Sequence, residues 1–387
     1  MNPGDFADIL GQVREFVRAE VLPRETEIDE RDEMPAELRR QAAEMGLFGF
    51  ALPEEYGGLG LSMSEEVELV FELAYGAVAF RSMFGTNNGL AGQILVMAGT
   101  AEQKQRWLPG IVSGEIVASF ALTEPEAGSD PAGMTTTAEP DGDGYLITGT
   151  KRFITNAPAA GLIMVFARTG DGTGGGAGPG QGGGRRISVF AVPVPSPGLT
   201  IGPKDRKMGQ GGSLTADVYL DAVRAGPDAR IGGDEGYRLA MRSLARGRLH
   251  VAAVCTGMMR RLVDESVAFA AGRRQGGRPI ADYQLVQAML ADSATELYAS
   301  EAMVRRAAAG YDEGTDTSIA PAMCKYFASE AVGRVADRAV QVHGGLGYMR
   351  GVAVERLYRD ARLFRIYEGT SQIQQVIIGR GLTRARS

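Results

Sequence analysis

Three long segments near the C-terminus repeat their apolar residues every three or four positions, and they constrain the fold more than any other feature. They cover residues 237–271, 280–311 and 318–342, and a shorter segment of the same kind covers 372–380. Such a stripe marks one face of an amphipathic helix, which other helices must bury. Three long helices and a short one fit a four-helix bundle, so we predict this bundle over 228–387.

The residues before the bundle switch to the alternating pattern of strands. The β-rich segments are 117–122, 134–138, 145–154, 162–167, 187–194 and 216–220. The sequence Asp-Gly-Asp-Gly at 141–144 favours a tight turn between two of them. We therefore predict a middle antiparallel β domain over 117–227.

A glycine-rich segment of low complexity interrupts this β domain at 169–186. Its glycines leave little apolar surface to bury, so we expect a mobile hairpin excursion. A phosphate-binding loop is disfavoured, because neither a helix start nor the lysine of a P-loop follows.

Residues 1–116 show the helical pattern, and we predict an N-terminal helical domain. Its first helix spans 6–17 and is expected to end at Pro23. The further helices are expected at 36–45, from a cap at Ser62 or Ser64 to residue 75, at 82–97, and from the capping box of Thr100 and Gln103 to residue 112. The predicted fold class is therefore α+β and multidomain, in the order helical, β, helical.

Composition excludes several classes of protein. A chain of 387 residues exceeds the size of one growing core, so two or three domains are expected. The formal net charge of −6 gives no general attraction for nucleic acid or anionic membranes. No run approaches ~20 apolar residues, so no membrane span is expected, and the N-terminus has no apolar run of signal length.

The chain has two cysteines, Cys255 and Cys324, and two histidines, His250 and His343. Two cysteines give no disulfide framework and suit a reducing compartment, so we predict a cytoplasmic location. The four residues are spread apart and leave no metal-ligand cluster. We interpret His343 as a packing residue.

Glu368 lies in a short turn between apolar neighbours and a helix start. Ile366 and Tyr367 precede it, and Gly369 leads into a helix that Thr370 or Ser371 would cap. A carboxylate held at a buried turn loses solvation, which raises its pKa and makes it a usable general base. An acid that stabilises the positive end of the helix dipole is the alternative interpretation.

Two motifs, far apart in the chain, resemble signatures of the acyl-CoA dehydrogenase family. The first is Ala-Leu-Thr-Glu-Pro-Glu-Ala-Gly-Ser-Asp at 121–130. The second is Gln-x-x-Gly-Gly-x-Gly-Tyr at 341–348, followed by Arg356, Asp360 and the Tyr-Glu-Gly-Thr of 367–370. Their order and separation are those of the family, and the resemblance extends over essentially the whole chain.

The resemblance implies a reaction and its partners. Removing two hydrogens from a saturated Cα–Cβ bond needs a base for the α-proton and an acceptor for the β-hydride, and no side chain accepts hydride. The family's acceptor is FAD, its substrate an acyl-CoA, its product a trans-2-enoyl-CoA, and its electron partner an electron-transfer flavoprotein. The same resemblance implies a homotetramer, a dimer of dimers, with flavin sites at subunit interfaces.

The resemblance assigns five residues to the flavin itself. The backbone of Leu122 and the side chain of Thr123 reach the pyrimidine edge, and Thr155 lies beside N5. Phe153 stands where the family commonly has tryptophan, so ring packing is kept and the indole donor is lost. Ser129 binds the flavin phosphate or neighbouring substrate groups.

Other residues are implied for the dinucleotide part of FAD. Arg273 resembles an arginine that crosses the subunit boundary to the pyrophosphate, and a guanidinium fork suits phosphate oxygens. A solvated arginine at a helix end is the alternative. The resemblance implies that the dinucleotide bound by Arg273 is also approached by Gln341, Gly344 and Gly345. It places Thr370 and Gln372 at the adenosine end of another FAD.

Substrate contacts follow from the same resemblance. Arg248 lies near the thioester and pantetheine, Arg380 lies near the adenine of CoA, and Tyr367 and Gly369 flank the acyl thioester.

The resemblance identifies Glu368 as the base that takes the α-proton. One branch of the family draws its base from the position of Gly247 instead. Because glycine cannot act as a base, the assignment to Glu368 is strengthened.

Arg81 is the residue that indicates which kind of acyl tail the substrate carries. The triplet Phe-Arg-Ser at 80–82 resembles glutaryl-CoA dehydrogenases, whose arginine binds the distal carboxylate. A buried arginine needs an anionic partner, so an acidic-tailed acyl-CoA is one hypothesis and a plain short-chain acyl-CoA is its rival. The alternative is an exposed Arg81, or one paired with Glu72 or another acid.

Other activities remain open on the sequence. One is a relative that acts on acyl groups bound to a carrier protein, and another performs an elimination such as decarboxylation. A flavoprotein of this fold that binds DNA without dehydrogenation belongs to a different class, and the acidic charge disfavours it.

Overall fold

The computed structural model describes residues 1–170 and 186–384, without the side chain of Arg384. Residues 171–185 of the glycine-rich segment, for which we expected an excursion from the sheet, lie outside the described residues. Within the described ranges, no helix combines the length and the apolar character that crossing a membrane requires.

The N-terminal helix does not end at Pro23 as predicted. Helix α1 (Pro3–Phe16) continues through one π-helical turn (Val17–Val21) and a 3-10 turn (Leu22–Arg24) into α2 (Glu25–Arg31). Proline is tolerated in the first turn of a helix, where its missing N–H would have no partner. Here Pro23 is the second residue of the 3-10 turn.

The remaining helices of this region begin close to the predicted positions. They are α3 (Ala36–Glu44), α4 (Met63–Leu73), α5 (Val78–Gly89), α6 (Ala91–Ala98) and α7 (Ala101–Val112). Capping boxes at Ser62 and Thr100 start α4 and α7, which confirms both caps. The single helix predicted at 82–97 is wrong, because Leu90 leaves the helical conformation and divides it into α5 and α6.

The middle region is one mostly antiparallel sheet, as predicted. Within the described residues its strands are β1 (Ala118–Ala121), β2 (Thr137–Asp141), β3 (Gly144–Thr155), β4 (Leu162–Thr169), β5 (Arg186–Pro193), β6 (Leu199–Ile201), β7 (Thr215–Ala225) and β8 (Arg230–Ile231). Their order is β6-β7-β3-β2-β4-β5-β8, with β1 also on β4. The β1–β4 and β2–β4 pairs are parallel.

Strand β2 begins three residues later than the sequence predicted. The backbone N–H groups of Thr135 and Thr136 bond to the carboxylate of Glu124 instead of a neighbouring strand. The two unpredicted strands, β6 and β8, have only three and two residues and carry little pattern.

The C-terminal region is the predicted helical bundle. It contains α8 (Gly236–Gly272), a small hairpin of β9 (Arg274–Gln275) and β10 (Arg278–Pro279), α9 (Gln284–Asp312), α10 (Ile319–His343), α11 (Ala353–Ala361) and α12 (Ser371–Arg384). Helix α10 packs on α8, α9 and α12. The short helix α11 was not predicted.

One asparagine fastens the sheet to the N-terminal helices. Asn156 follows β3 in a left-handed conformation (φ 63°), and its amide donates to the carbonyls of Ser82 and Met83 and to the Thr86 hydroxyl. The end of β3 is thereby held against α5, and a cavity lies beside this junction.

Candidate active site

A cavity of about 220 Å³ lies where α5, α8, the ends of β1 and β3, and the turn before α12 meet. It brings together ten of the residues that the sequence singled out, although they are spread over 288 positions of the chain. These are Arg81, Leu122, Thr123, Ser129, Phe153, Thr155, Arg248, Tyr367, Glu368 and Gly369.

Glu368 occupies a turn with unusual backbone geometry. Its φ is 51° and that of Gly369 is 90°, so two successive residues are left-handed. The conformation is costly for a residue with a side chain and is found where surrounding contacts impose it. The Thr370 hydroxyl then accepts from the Ile373 N–H at 3.3 Å, so Thr370 is the cap of α12.

One carboxylate oxygen of Glu368 has no hydrogen-bond partner in the part of the chain that the structure describes. Its Oε2 is buried and makes no hydrogen bond to any described residue. A Cβ built on Gly247 would lie 2.1 Å from this oxygen, so the glycine of α8 makes the room that the carboxylate occupies. A buried polar atom without a partner is rare in a folded protein and indicates a place for a ligand.

The surroundings of Glu368 act on its protonation in opposite directions. Burial raises the pKa of Glu368 above its ordinary value, while the charges of Arg81, Lys325 and Arg248 oppose that shift. Desolvation prevails, and the carboxyl group becomes a stronger proton acceptor than one in water. Burial likewise raises the pKa of Tyr367.

Arg81 is buried, and its partner is a histidine. Its guanidinium donates to Nδ1 of His250 at 3.0 Å, and its Nε has no hydrogen-bond partner in the described part of the chain. Because a guanidinium only donates, Nδ1 of His250 must accept, which leaves the ring proton on Nε2. That proton is donated to Glu66 at 2.6 Å, and Glu66 also binds Arg246.

An exposed Arg81 and a pair with Glu72 are both wrong, whereas the charge of Arg81 does act on the carboxylates of Glu368 and Glu66. It is 8% exposed, and Glu72 is engaged with Arg14 and Arg18 instead. Burial lowers the pKa of His250, so the imidazole is neutral. Burial also lowers the pKa of Arg81, but a guanidinium stays protonated near neutral pH, so the charge of Arg81 is kept.

The loop after β1 is fixed by a buried ion pair. Lys151 donates to Glu124 at 2.8 Å and to the Leu122 carbonyl at 3.3 Å. Burial alone would raise the pKa of Glu124, but the Lys151 charge and the backbone donors lower it to about 2. This loop therefore presents Leu122 and Thr123 to the cavity from a rigid base.

Phe153 and Thr155 stand at the mouth of the cavity, on the last residues of β3. The Phe153 side chain is 60% exposed, and its backbone is left-handed at φ 57°. Its N–H donates to Asp217 at 3.3 Å, which holds the bulge that turns the ring outward.

The structure places Arg273 and its predicted neighbours elsewhere. Arg273 follows the last residue of α8, roughly 39 Å along that helix from Gly247 at 1.5 Å per residue. His343 stacks on Phe269 at 4.2 Å, which brings Gln341 and the exposed glycines after it to the same end of the bundle. Neither Arg273 nor Gln341 lines the cavity that contains Glu368.

The predicted residues at the start of α12 and further along it lie in different places. Thr370 and Gln372 line a separate surface groove with Arg362 and Arg365. Arg380 is exposed further along α12 and does not line the cavity.

Two residues beside the site were missed at the level of sequence. His250 faces the cavity two residues after Arg248, and a lone histidine on an apolar helix gave no further signal. Lys325 is fully buried on α10 and donates to the Gly369 carbonyl at 2.7 Å. A single lysine within an otherwise apolar run was the signal that could have identified it.

Three family models match consecutive parts of the chain. They are the N-terminal domain of acyl-CoA dehydrogenase at residues 5–115, the middle domain at 119–223 and the C-terminal domain at 234–383.

Curated relatives match nearly the whole length. The 3-(aryl)acrylate reductase of Clostridium sporogenes is 38% identical over 96% of both chains. The caffeyl-CoA reductase-Etf complex subunit CarC of Acetobacterium woodii is 38% identical over 91% of both. The human mitochondrial short-chain specific acyl-CoA dehydrogenase is 35% identical over 97% of this chain and 90% of its own.

Solved structures share the fold. Butyryl-CoA dehydrogenase from Megasphaera elsdenii superimposes with a TM-score of 0.92 at 31% identity over 98% of both chains. Glutaryl-CoA dehydrogenase from Mycobacterium smegmatis gives a TM-score of 0.90 at 32% identity, over 98% of this chain and 94% of its own.

Proposed function

The chain belongs to the acyl-CoA dehydrogenase family of FAD-dependent oxidoreductases, and we propose that it dehydrogenates an acyl-CoA to a trans-2-enoyl-CoA with Glu368 as the base. The observation that carries this proposal is the buried Oε2 of Glu368, which faces the cavity and has no partner among the described residues. Its raised pKa supports the same role, because a general base works best when its pKa approaches the working pH.

The residues around the cavity fit a flavin. The rigid loop of Leu122 and Thr123 offers a backbone and a hydroxyl on one side, and Phe153 and Thr155 offer a ring and a hydroxyl on another. When bound there, FAD supplies the acceptor for the β-hydride. Glu368 takes the α-proton, and its backbone N–H is the donor we assign to the thioester carbonyl, whose negative charge grows as the proton leaves.

Arg248 and Tyr367 line the same cavity as Glu368, and we assign both to the acyl thioester. Arg380, exposed on α12, is assigned to the adenine of CoA, where an arginine has to remain accessible.

We infer that more than one copy of the chain builds each FAD site. Arg273, Gln341, Gly344 and Gly345 lie together but far from Glu368, so they can serve only a dinucleotide whose flavin lies in another copy. A site shared by two copies requires at least a dimer, and the homotetramer that we infer, a dimer of dimers, meets this requirement. Sedimentation of the flavin-loaded protein tests it, and a flavin-loaded monomer would contradict it.

The acyl-CoA and an electron-transfer flavoprotein are the partners we infer. The Acetobacterium woodii relative is named as a subunit of an Etf complex, which supports the second. Both cysteines are free and buried, which supports a reducing compartment, and we infer the cytoplasm.

The acyl tail is inferred to carry a carboxylate. Arg81 enters the cavity as a buried cation that is bonded to a neutral imidazole instead of an acid, and its Nε donor has no partner in the described chain. The carboxylate of Glu368 faces Arg81 and partly balances its charge. The Nε donor of Arg81 remains without a partner among the described residues, so an anionic tail is the complement that we infer for this donor. The structural neighbour from Mycobacterium smegmatis is named a glutaryl-CoA dehydrogenase, which is consistent with this class.

The first experiment tests the reaction. The purified flavin-loaded protein is mixed with a panel of acyl-CoA thioesters and a dye as electron acceptor, while flavin absorbance is followed. Bleaching by saturated thioesters is expected. Since two of the relatives are named reductases, the reduced protein is also given enoyl-CoA thioesters, and turnover in that direction alone would contradict the proposed direction.

The second experiment tests the tail. We compare kcat/KM for glutaryl-CoA and hexanoyl-CoA in the wild type and in Arg81→Met. Loss of a charge-paired contact costs the dicarboxylyl substrate about 2–5 kcal/mol and spares the neutral one. Arg248→Met is the matched control, because it removes another buried cation of the cavity and is expected to weaken both substrates equally. A wild type that prefers hexanoyl-CoA, or an Arg81→Met that weakens both alike, would make Arg81 structural.

A further inference from the structure

A fully buried lysine lies directly behind the turn that carries Glu368. Lys325 comes from α10, and its Nζ donates to the Gly369 carbonyl at 2.7 Å. Burying a lysine costs several kcal/mol unless its donors are satisfied, so a fully buried one needs a specific reason. Within the described chain, one hydrogen bond is made by the Lys325 Nζ, and it ends on the residue next to the proposed base.

A second buried side chain holds the same turn. Gln374 of α12 is fully buried, and its amide donates to the Glu368 carbonyl at 3.1 Å and to the Gly369 carbonyl at 2.9 Å. A Cβ on Gly369 would lie 2.6 Å from this amide nitrogen. The Gly369 carbonyl thus accepts from donors on two different helices, and the Glu368 carbonyl accepts from Gln374 alone.

The two donors differ in charge. Lys325 is a cation and Gln374 is neutral, so one can act on the carboxylate through space and the other cannot. Burial lowers the pKa of Lys325 to about 8, so the ammonium form is the main one at neutral pH. The charged and titratable groups that face Glu368 or Lys325 are Arg81, Arg248, Cys255, Glu330 and Tyr367.

We propose that Lys325 is a positioning residue for proton abstraction: it fixes the Glu368 turn through the Gly369 carbonyl and supplies a positive charge behind the base. Gln374 also holds the Glu368 turn in place, but it supplies no charge. The inference rests on the proposed role of Glu368 as base.

The test compares Lys325→Met with Gln374→Met in the flavin-loaded protein. Lys325→Met removes both the donor and the charge, so kcat falls about tenfold to a hundredfold with little change in KM. Its kcat/KM profile also moves about one pH unit upward on the acid side, because loss of a nearby cation raises the pKa of the base. Gln374→Met lowers kcat but leaves the acid side of the profile in place.

Lys151→Met is the control for the removal of a buried lysine as such. Lys151 is equally buried but belongs to the β domain and bonds to Glu124. Because it also bonds to the Leu122 carbonyl in the proposed flavin loop, the control compares the acid side of the pH profile and not kcat. This variant is expected to lose stability without moving the acid side of the profile. If Lys325→Met lowers only the thermal midpoint, with kcat and the pH profile of the folded fraction unchanged, Lys325 is a structural residue and the proposal is overturned.

If Lys325→Met does not fold, Gln374→Met tests whether holding the Glu368 turn in place matters for turnover. An unchanged kcat in Gln374→Met overturns the proposal. Glu368→Gln is measured in parallel, so that the role of Glu368 as the base and the role of Lys325 are tested separately. Near-normal turnover by Glu368→Gln would show that Glu368 is not the base. A loss of turnover in Glu368→Gln, with no effect in Lys325→Met, would overturn only the role proposed for Lys325.

Discussion

Two glutamates of this chain are withdrawn from water in opposite ways. Glu124, in the loop after β1, gives its carboxylate oxygens to Lys151, to two backbone N–H groups and to a hydroxyl. Glu368, in the turn before α12, has an Oε2 with no partner among the described residues. The pKa of Glu124 is lowered to about 2 by its partners, whereas burial raises that of Glu368. A satisfied buried carboxylate stabilises structure, and one left unsatisfied is available for chemistry.

The largest effect is expected when the satisfied carboxylate is removed. Glu124→Gln leaves Lys151 as an unpaired buried charge, which costs about 3–5 kcal/mol of folding free energy. Urea unfolding at fixed protein and FAD concentrations measures it. Glu126→Gln, at an exposed position of the same loop, is the control and is expected within about 0.5 kcal/mol of wild type. If Glu124→Gln loses less than about 1 kcal/mol of folding free energy, the satisfied carboxylate of Glu124 does not stabilise the structure as proposed.

A smaller effect is expected from crowding the unsatisfied carboxylate. Gly247→Ala places a Cβ where Oε2 of Glu368 lies, so the carboxylate has to move. We expect kcat to fall about tenfold to a hundredfold, the effect of misplacing a reacting group by about 1 Å. Gly11→Ala in α1, whose Cβ would meet no atom within 4 Å, is expected to keep its kcat. Equal rates in the two variants would show that the position of this oxygen does not matter for turnover.

The smallest effect near neutrality is the pH dependence of stability, and its sign differs for the two glutamates. Because the pKa of Glu124 is lower in the folded state than its ordinary value of 4.5, its contribution is present above pH 4.5 and is lost as pH falls toward 2. The pKa of Glu368 is raised, so the folded state binds its proton more tightly, and stability falls as pH rises above 4.5. Glu368→Gln should therefore gain stability relative to wild type as pH rises above 4.5. A constant difference over that range would contradict the raised pKa.

The sequence predicted the elements that carry local patterns. Capping boxes at Ser62 and Thr100 and the long helices α8 to α10 follow from residues three or four positions apart. The motifs also predicted the cavity residues, including Thr123 and Glu368. Two other features were predicted wrongly. Leu90 breaks a helix although leucine is a good helix former, and Pro23 lies in the first turn of a new 3-10 segment, where proline is tolerated.

What could not be predicted is the set of contacts that fixes the chemical groups. Arg81 and His250 are 169 residues apart, and Lys325 and Gly369 are 44 apart. Neither pair has a spacing rule, because the partners meet only when separate helices pack. The same is true of the room beside Glu368, which a single glycine on another helix provides.

The measurement that tests the account most directly is α-proton exchange in D₂O. Butyryl-CoA and glutaryl-CoA are incubated with the flavin-loaded protein without an electron acceptor, and loss of the α-proton signal is followed by NMR. Wild type is expected to exchange it. Glu368→Gln should exchange it about 10²–10⁴-fold more slowly while still binding substrate, which is the range for removal of a general base. Exchange by Glu368→Gln at the wild-type rate would contradict the assignment of Glu368 as the base.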